Sequence, residues 1–154
     1  MGKRIGFAPL GLVLALILFG LSSQLYAARG GTNRPFKGGA EGAVTGISPD
    51  GALIVESTGT ATHLGKYTRT EFIFVDGFDI SGTILFTAAN DDQLWATFEG
   101  AFTSPTTAEG TYTFFGGTGQ FVGATGTADF EAATATTPDG VTHAAITFDG
   151  KISY

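Results

Sequence analysis

The sequence predicts an all-β fold: a single eight-stranded antiparallel barrel preceded by an N-terminal signal helix. Three observations lead there. From Phe36 onward, Gly, Pro and Asp punctuate the chain at short, regular intervals, the spacing of turns in an antiparallel sandwich or barrel. Residues 28–154 hold 20 Gly and 23 Thr and no Cys, a composition that suits strands and turns rather than long helices. Helix caps and apolar stripes of period 3.6 are missing from the same stretch, which excludes an all-helical fold.

The elements follow in order. Lys3 and Arg4 precede an apolar run over residues 5–21, broken by Pro9 and Gly20 and followed by small and polar residues to Ala28. This is the layout of a secretory signal, with cleavage expected after Ala27. The strongest part of the run, residues 10–21, is shorter than the roughly 20 apolar residues of a spanning helix. The chain is therefore expected to be secreted or periplasmic, with no stable membrane span after signal removal; an uncleaved N-terminal anchor is the alternative. Residues 28–35 read as a flexible lead-in, and residues 36–154 as the barrel.

The first strand is expected over residues 37–47, ending at Ser48-Pro49-Asp50-Gly51, where Pro presets one dihedral and Gly accepts a positive φ. The second spans 52–62, and His63-Leu64-Gly65 leads into the third, 66–75, a run of Tyr, Thr, Phe, Ile and Val. The fourth, 80–88, follows Asp76-Gly77-Phe78-Asp79; the fifth, 93–103, follows Ala89-Asn90-Asp91-Asp92 and stops at Ser104-Pro105. The sixth covers 109–115, a glycine-rich corner spans 116–126, the seventh is 127–136, and the eighth, 141–154, comes after Pro138-Asp139-Gly140.

Period-two alternation sorts the faces. In the eighth strand Ala144, Ile146, Phe148 and Ile152 share one side, while His143, Thr147, Asp149, Lys151 and Ser153 share the other. The fifth repeats this with Leu94, Ala96, Phe98 and Phe102 opposite Gln93, Thr97 and Glu99, and Trp95 falls on the polar side. Eight antiparallel strands leave unpaired edges unless they close, and a barrel of that size holds side chains or one small ligand.

Charge and composition exclude several functions. Without Lys3 and Arg4, six basic residues face fourteen acidic ones, a net charge of −8, so nothing is left to hold a phosphate backbone and nucleic acid is not an expected partner. The absence of cysteine excludes disulfides, thiolate catalysis and Cys-type metal sites. No nucleophile elbow or His-Glu-x-x-His motif occurs, and no cofactor or metal is expected.

The corner Gly116-Gly117-Thr118-Gly119-Gln120-Phe121-Val122-Gly123-Ala124-Thr125-Gly126 resembles the GGTGxFxxAxG segment of the allene oxide cyclase and dirigent barrels. Residues 61–68 and 104–115 are further similar to small secreted bacterial barrels of the same kind, which carry no assigned activity. The resemblance implies an eight-stranded barrel and, as a ligand class, small apolar or phenolic molecules in the lumen. It carries over no catalytic residue, because none of the family's carboxylate constellations matches positions here. Physically, Gly116, Gly117, Thr118, Gly119 and Gly126 read as a sharp barrel corner with Phe121 as its plug.

Five residues stand out as ligand candidates. His63 shares parity with Leu53 and Val55 and would face the barrel mouth as a hydrogen-bonding or proton-carrying group, or else fix its own turn. Tyr67, Arg69 and Glu71 share one face of the third strand; they line a polar lumen or, the favoured reading, form a solvated ion pair on the exterior. Glu41 lies among Gly38, Gly39, Ala40, Gly42 and Ala43, where a carboxylate facing a cavity would act as acid or base. Asp76 with Asp79, and Asp91 with Asp92, are explained by turn chemistry, and Trp95 as a single exposed aromatic.

The leading functional expectation is a non-enzymatic barrel that binds a small apolar or aromatic molecule or serves a structural role at the envelope. A cyclase or isomerase of the allene oxide cyclase or dirigent type is the second, requiring a cavity containing His63 or Glu41. An outer-membrane barrel is the third, since alternation does not tell inside from outside. Phe72, Phe74, Phe86, Phe98 and Phe148 are the side chains expected to decide whether the lumen is open.

Overall fold

The computed structural model describes residues 31–154; the signal segment expected over residues 1–27, and the start of the lead-in, lie outside the described residues. Eight strands follow one another: β1 (Arg34–Ile47), β2 (Leu53–Ala61), β3 (Gly65–Asp76), β4 (Asp79–Ala88), β5 (Gln93–Ser104), β6 (Thr107–Gly117), β7 (Thr125–Thr136) and β8 (Thr142–Ser153), with a single 3₁₀ turn at Gly119–Phe121. Each strand pairs antiparallel with its neighbours, and β1 pairs with β8 from Arg34↔Ile152 to Ala43↔His143, so the barrel closes. Closure removes the free edges that would otherwise invite association.

Alternation puts the aromatic side chains inside. Phe36, Phe86, Phe98, Tyr112, Phe114, Phe130 and Phe148 are all buried and meet edge-on or stacked: Tyr112 and Phe130 have ring centroids 4.6 Å apart, Phe36 and Phe148 5.2 Å. Each fully buried ring contributes about 2–3 kcal/mol from area alone, and the contact geometry adds to it. The outer wall carries threonines in register, Thr83↔Thr97, Thr97↔Thr113 and Thr113↔Thr127. An apolar lining behind a hydroxyl-rich wall is the reverse of a lipid-facing barrel. Among the described residues no helix is long and apolar enough to cross a membrane.

Three expectations are corrected. Arg69 and Glu71 are not on the exterior: their side chains point inward and are buried. Consequently Phe72 and Phe74, which alternate with them, lie outside with relative exposures of 39% and 43%, and do not plug the lumen. β1 begins at Arg34, within the expected lead-in, because Arg34 and Pro35 pair with Ile152 and Lys151 of β8 and the Arg34 guanidinium donates to Tyr154 Oη at 3.0 Å.

The two ends of the barrel differ. At one end the 3₁₀ turn, the β2–β3 turn and the chain beside Tyr154 converge. Phe36, Leu94, Phe121, Ala124 and Ile152 there have no exposed surface, and Leu64 has 5%. Gln120 Nε2 donates to the His63 carbonyl at 3.1 Å, Gln93 N–H to Thr118 Oγ1 at 2.9 Å, and Tyr154 packs on Phe121 at 5.2 Å. This end is sealed. At the other, inward-facing Leu53, Ile73, Phe102, Ala132 and Ala144 are only partly covered, and Ile47, Val75 and Phe78 on the rim are 69%, 47% and 77% exposed.

Candidate functional site

Beneath the uncovered end sits the polar centre of the lumen. β3 places Tyr67, Arg69 and Glu71 on its inner face, where charged side chains interrupt an otherwise apolar lining. Arg69 Nη2 and Glu71 Oε2 are 2.6 Å apart, with side-chain exposures of 1% and 6%. Arg69 Nη1 donates to Tyr112 Oη at 3.2 Å, and the guanidinium lies 5.8 Å from the Phe86 centroid and 5.7 Å from that of Tyr112. Tyr67 Oη donates to the Gly39 carbonyl at 3.0 Å.

The environment accounts for the protonation states. Burial pushes the Tyr67 phenol up to about 12, with Arg69 opposing and Glu71 reinforcing. Tyr112 moves the same way for the same reason. Burial works against the charge on Arg69, but Tyr112 and Glu71 outweigh it and the net shift is upward. The guanidinium therefore stays charged, and both phenols stay protonated and available as donors at neutral pH.

Among the described residues two enclosed side-chain atoms are left without partners. Arg69 Nε and Ser57 Oγ are both fully enclosed and make no hydrogen bond, and Ser57 and Arg69 are direct register partners on adjacent strands. An orphaned buried donor costs about 1–3 kcal/mol, so this wall of the lumen is where an added oxygen would gain most. Gly42, paired with Ser57 in register, admits no Cβ, because one would collide with Ser57 Oγ and the Glu56 carbonyl.

The sequence candidates separate. Tyr67, Arg69 and Glu71 share the lumen, whereas His63 and Glu41 do not reach it. His63, at φ 68, lies at the sealed end; its Nε2 faces the Pro35 carbonyl at 3.0 Å, so this nitrogen carries the proton and donates. Burial and the nearby Arg34 lower its pKa, keeping the ring neutral as a brace for its turn. Glu41 is exposed on the outer wall. It borders a concavity of about 1260 Å³, a groove across several strands with exposed Thr58, Thr60, Lys66, Thr68 and Thr147 on its banks. The groove contains no large exposed apolar side chain, unlike most small-molecule sites.

The six corner residues are accounted for by packing. Gly116, Gly119 and Gly126 have φ of +150°, +55° and +135°; a Cβ on Gly117 would strike the Gln93 carbonyl, and one on Gly119 the Asp92 carboxylate. Thr118 receives the Gln93 N–H, and Phe121 is the plug. Asp92 Oδ2 accepts from Asn90 Nδ2 at 2.9 Å and from the Gln120 N–H at 3.2 Å. Among the described residues no group of three or more His, Asp or Glu side chains is placed to hold a metal ion.

Sequence reasoning missed Tyr112 and Ser57. Tyr112 shares period two with Ala108 and Phe114, and Ser57 with Val55, so a consistent inside face along every strand was the signal that would have found them.

No family model matches the chain, and no curated protein matches it. Among solved structures it is similar to a pterocarpan synthase dirigent protein, with 13% sequence identity and a TM-score of 0.44 over 80% of this chain and 87% of that one.

Proposed function

We propose that this protein is a binding module that takes a small, largely apolar molecule at the uncovered end of the barrel, above the Arg69–Glu71 pair. One observation carries the reading: the apolar lining is fully sealed at one end and only partly covered at the other, where Leu53, Ile73, Phe102, Ala132 and Ala144 face inward. Apolar surface gathered at one barrel end, with a few polar groups below it, is what a small-molecule site is generally made of. The aromatic side chains fill the middle of the lumen, so the ligand is received in the mouth. The signal-type sequence of residues 1–27 favours an extracytoplasmic role. A cyclase of dirigent type would have to work with Arg69, Glu71, Tyr67 and Tyr112, since His63 and Glu41 lie outside the lumen.

A mouth that covers one ligand face of about 200 Å² contributes about 5 kcal/mol, a dissociation constant of about 0.2 mM. Titrating residues 28–154 with the neutral fluorophore N-phenyl-1-naphthylamine should give saturable binding of that order. Phe102→Ser and Ile73→Ser should weaken it at least fivefold, while Glu41→Gln should not. Binding unaffected by the first two, or lost with Glu41→Gln, sinks the reading.

A further inference from the structure

Trp95 does not stand alone on the outer wall, as the sequence suggested. Its register partner on β6 is Gly116, and the ladder slips by one residue between Trp95↔Gly116 and Ala96↔Phe114. Phe115 is therefore the extra residue of a β-bulge, a device that re-aims a side chain. It has 56% exposure, and its ring centroid lies 6.3 Å from that of Trp95 at a tilt of 41°. The place a Cβ would take on Gly116 is bordered by Trp95 Cε3 at 3.4 Å and Cζ3 at 3.7 Å, so the indole leans over the β6 backbone instead of standing off the sheet. Leu85, the register partner of Trp95 on β4, is half-buried and widens the apolar surface by one strand. Neutral polar groups surround the three. Thr83, Thr97 and Thr113 form an exposed row in register across β4, β5 and β6, and Thr87 with Gln93 flanks the other side. Trp95 lies near the start of β5, toward the sealed end, whereas Phe102 of the mouth lies near its finish.

We infer that this platform is a second binding site, independent of the barrel mouth, which stacks a sugar ring of a neutral glycan. One face of a pyranose is a set of C–H bonds, whose positive hydrogens suit the negative face of an aromatic ring. Its edge is a set of hydroxyls, which suit the threonine row, the Gln93 amide and the indole N–H. Size also selects the partner. The three apolar side chains offer about 250 Å², against about 800 Å² per partner in a stable protein complex. Adjacent strands of a closed eight-stranded wall turn away by about 45° each, and the next exposed ring, Phe72, is two strands from Trp95, so a second copy of the chain has little flat surface to cover. A purely aromatic ligand would use the rings and leave the surrounding hydroxyls without a partner.

Trp95 is the single tryptophan of the chain, so its fluorescence reads the platform directly. Titration with the neutral linear glucans cellohexaose and maltohexaose should give a saturable emission shift with at least one of them, with a dissociation constant of about 1 mM, and should shield the indole from acrylamide. Phe115→Ala should weaken that binding about tenfold. Thr97→Val/Thr113→Val, which keeps the shape and removes the hydroxyls, should weaken it about fivefold. Ile73→Ser should leave it unchanged, and Phe115→Ala should leave N-phenyl-1-naphthylamine binding at the mouth unchanged, so the two sites stand or fall separately. No response to either glucan up to about 10 mM overturns the inference, as does a response that survives Phe115→Ala. A response lost in Phe115→Ala but intact in the threonine double variant reduces the site to aromatic stacking and overturns the glycan assignment. A dimer in sedimentation equilibrium that Phe115→Ala dissociates gives the surface to a second copy and overturns it too.

Discussion

At the centre of the barrel, removing Glu71 alone should do more harm than removing the pair. Arg69 has 1% side-chain exposure and its only other hydrogen-bond partner is Tyr112, so Glu71→Ala leaves a buried charge with nothing to neutralise it. The expected loss is about 3–5 kcal/mol, whereas Arg69→Met/Glu71→Leu should return to within about 1–2 kcal/mol of the parent, because a packed apolar pair costs no desolvation. Urea denaturation decides this; a double variant as unstable as the single one contradicts it. The buried phenols predict an alkaline limit. Tyr67 in the folded barrel is pushed up to about 12, while an unfolded tyrosine titrates near 10. Its raised value contributes stability in full below about pH 10, and that contribution is lost as the pH rises through about 12. Tyrosinate absorbance for Tyr67 and Tyr112 should therefore appear together with loss of the β-sheet circular dichroism signal. Ionisation of both in an intact barrel would show that they are not enclosed.

Among the elements, glycines separate into two physical classes. Gly82 on β4 faces the lumen, where an added Cβ would run into the Phe72 carbonyl and come within 2.9 Å of the Phe98 ring. Gly82→Ala should cost about 1–3 kcal/mol through overpacking. Gly46, at the β1 bulge, has open space around the same position, and Gly46→Ala should fall within about 0.5 kcal/mol of the parent. Comparable losses at both sites in thermal melts would mean that backbone freedom, not packing, governs these strands. The 3₁₀ turn is the element that seals one end: it is only three residues long and depends on Phe121, Thr118 and Gln120 reaching neighbouring segments.

For the whole molecule, closure through β1 and β8 brings the two ends of the described chain together, with the Tyr154 N–H on the Gly31 carbonyl at 3.3 Å. A circular permutant that joins these ends through a short glycine linker and opens the exposed turn between Asp139 and Gly140 should keep the barrel, since no ladder pair is cut there. A permutant with random-coil circular dichroism would show instead that the β7–β8 turn directs folding. The difference between the two ends, one sealed and one with its apolar lining only partly covered, is also a property of the whole, because each end is assembled from segments distant in sequence.

Strand number, turn positions and the glycine corner were legible in the sequence because they depend on local chemistry. Period-two alternation marks faces, Pro and Gly mark dihedrals, and Gly116, Gly119 and Gly126 occupy positive φ that few other residues tolerate. Strand faces were legible wherever one side was apolar, as with Ile146 and Phe148 on β8. β3 was the exception: both of its faces carry large side chains, and local rules favour Phe72 and Phe74 inside and Arg69 and Glu71 in water. Only the tertiary structure decided the reverse. A buried guanidinium is tolerable when its charge and donors are met, and the group that joins Glu71 in meeting them, Tyr112, is 43 residues away on β6. The place of His63 and Glu41 outside the lumen, and the identity of the uncovered end, were settled in the same way, because alternation orders the residues along one strand while burial depends on what the other seven bring opposite.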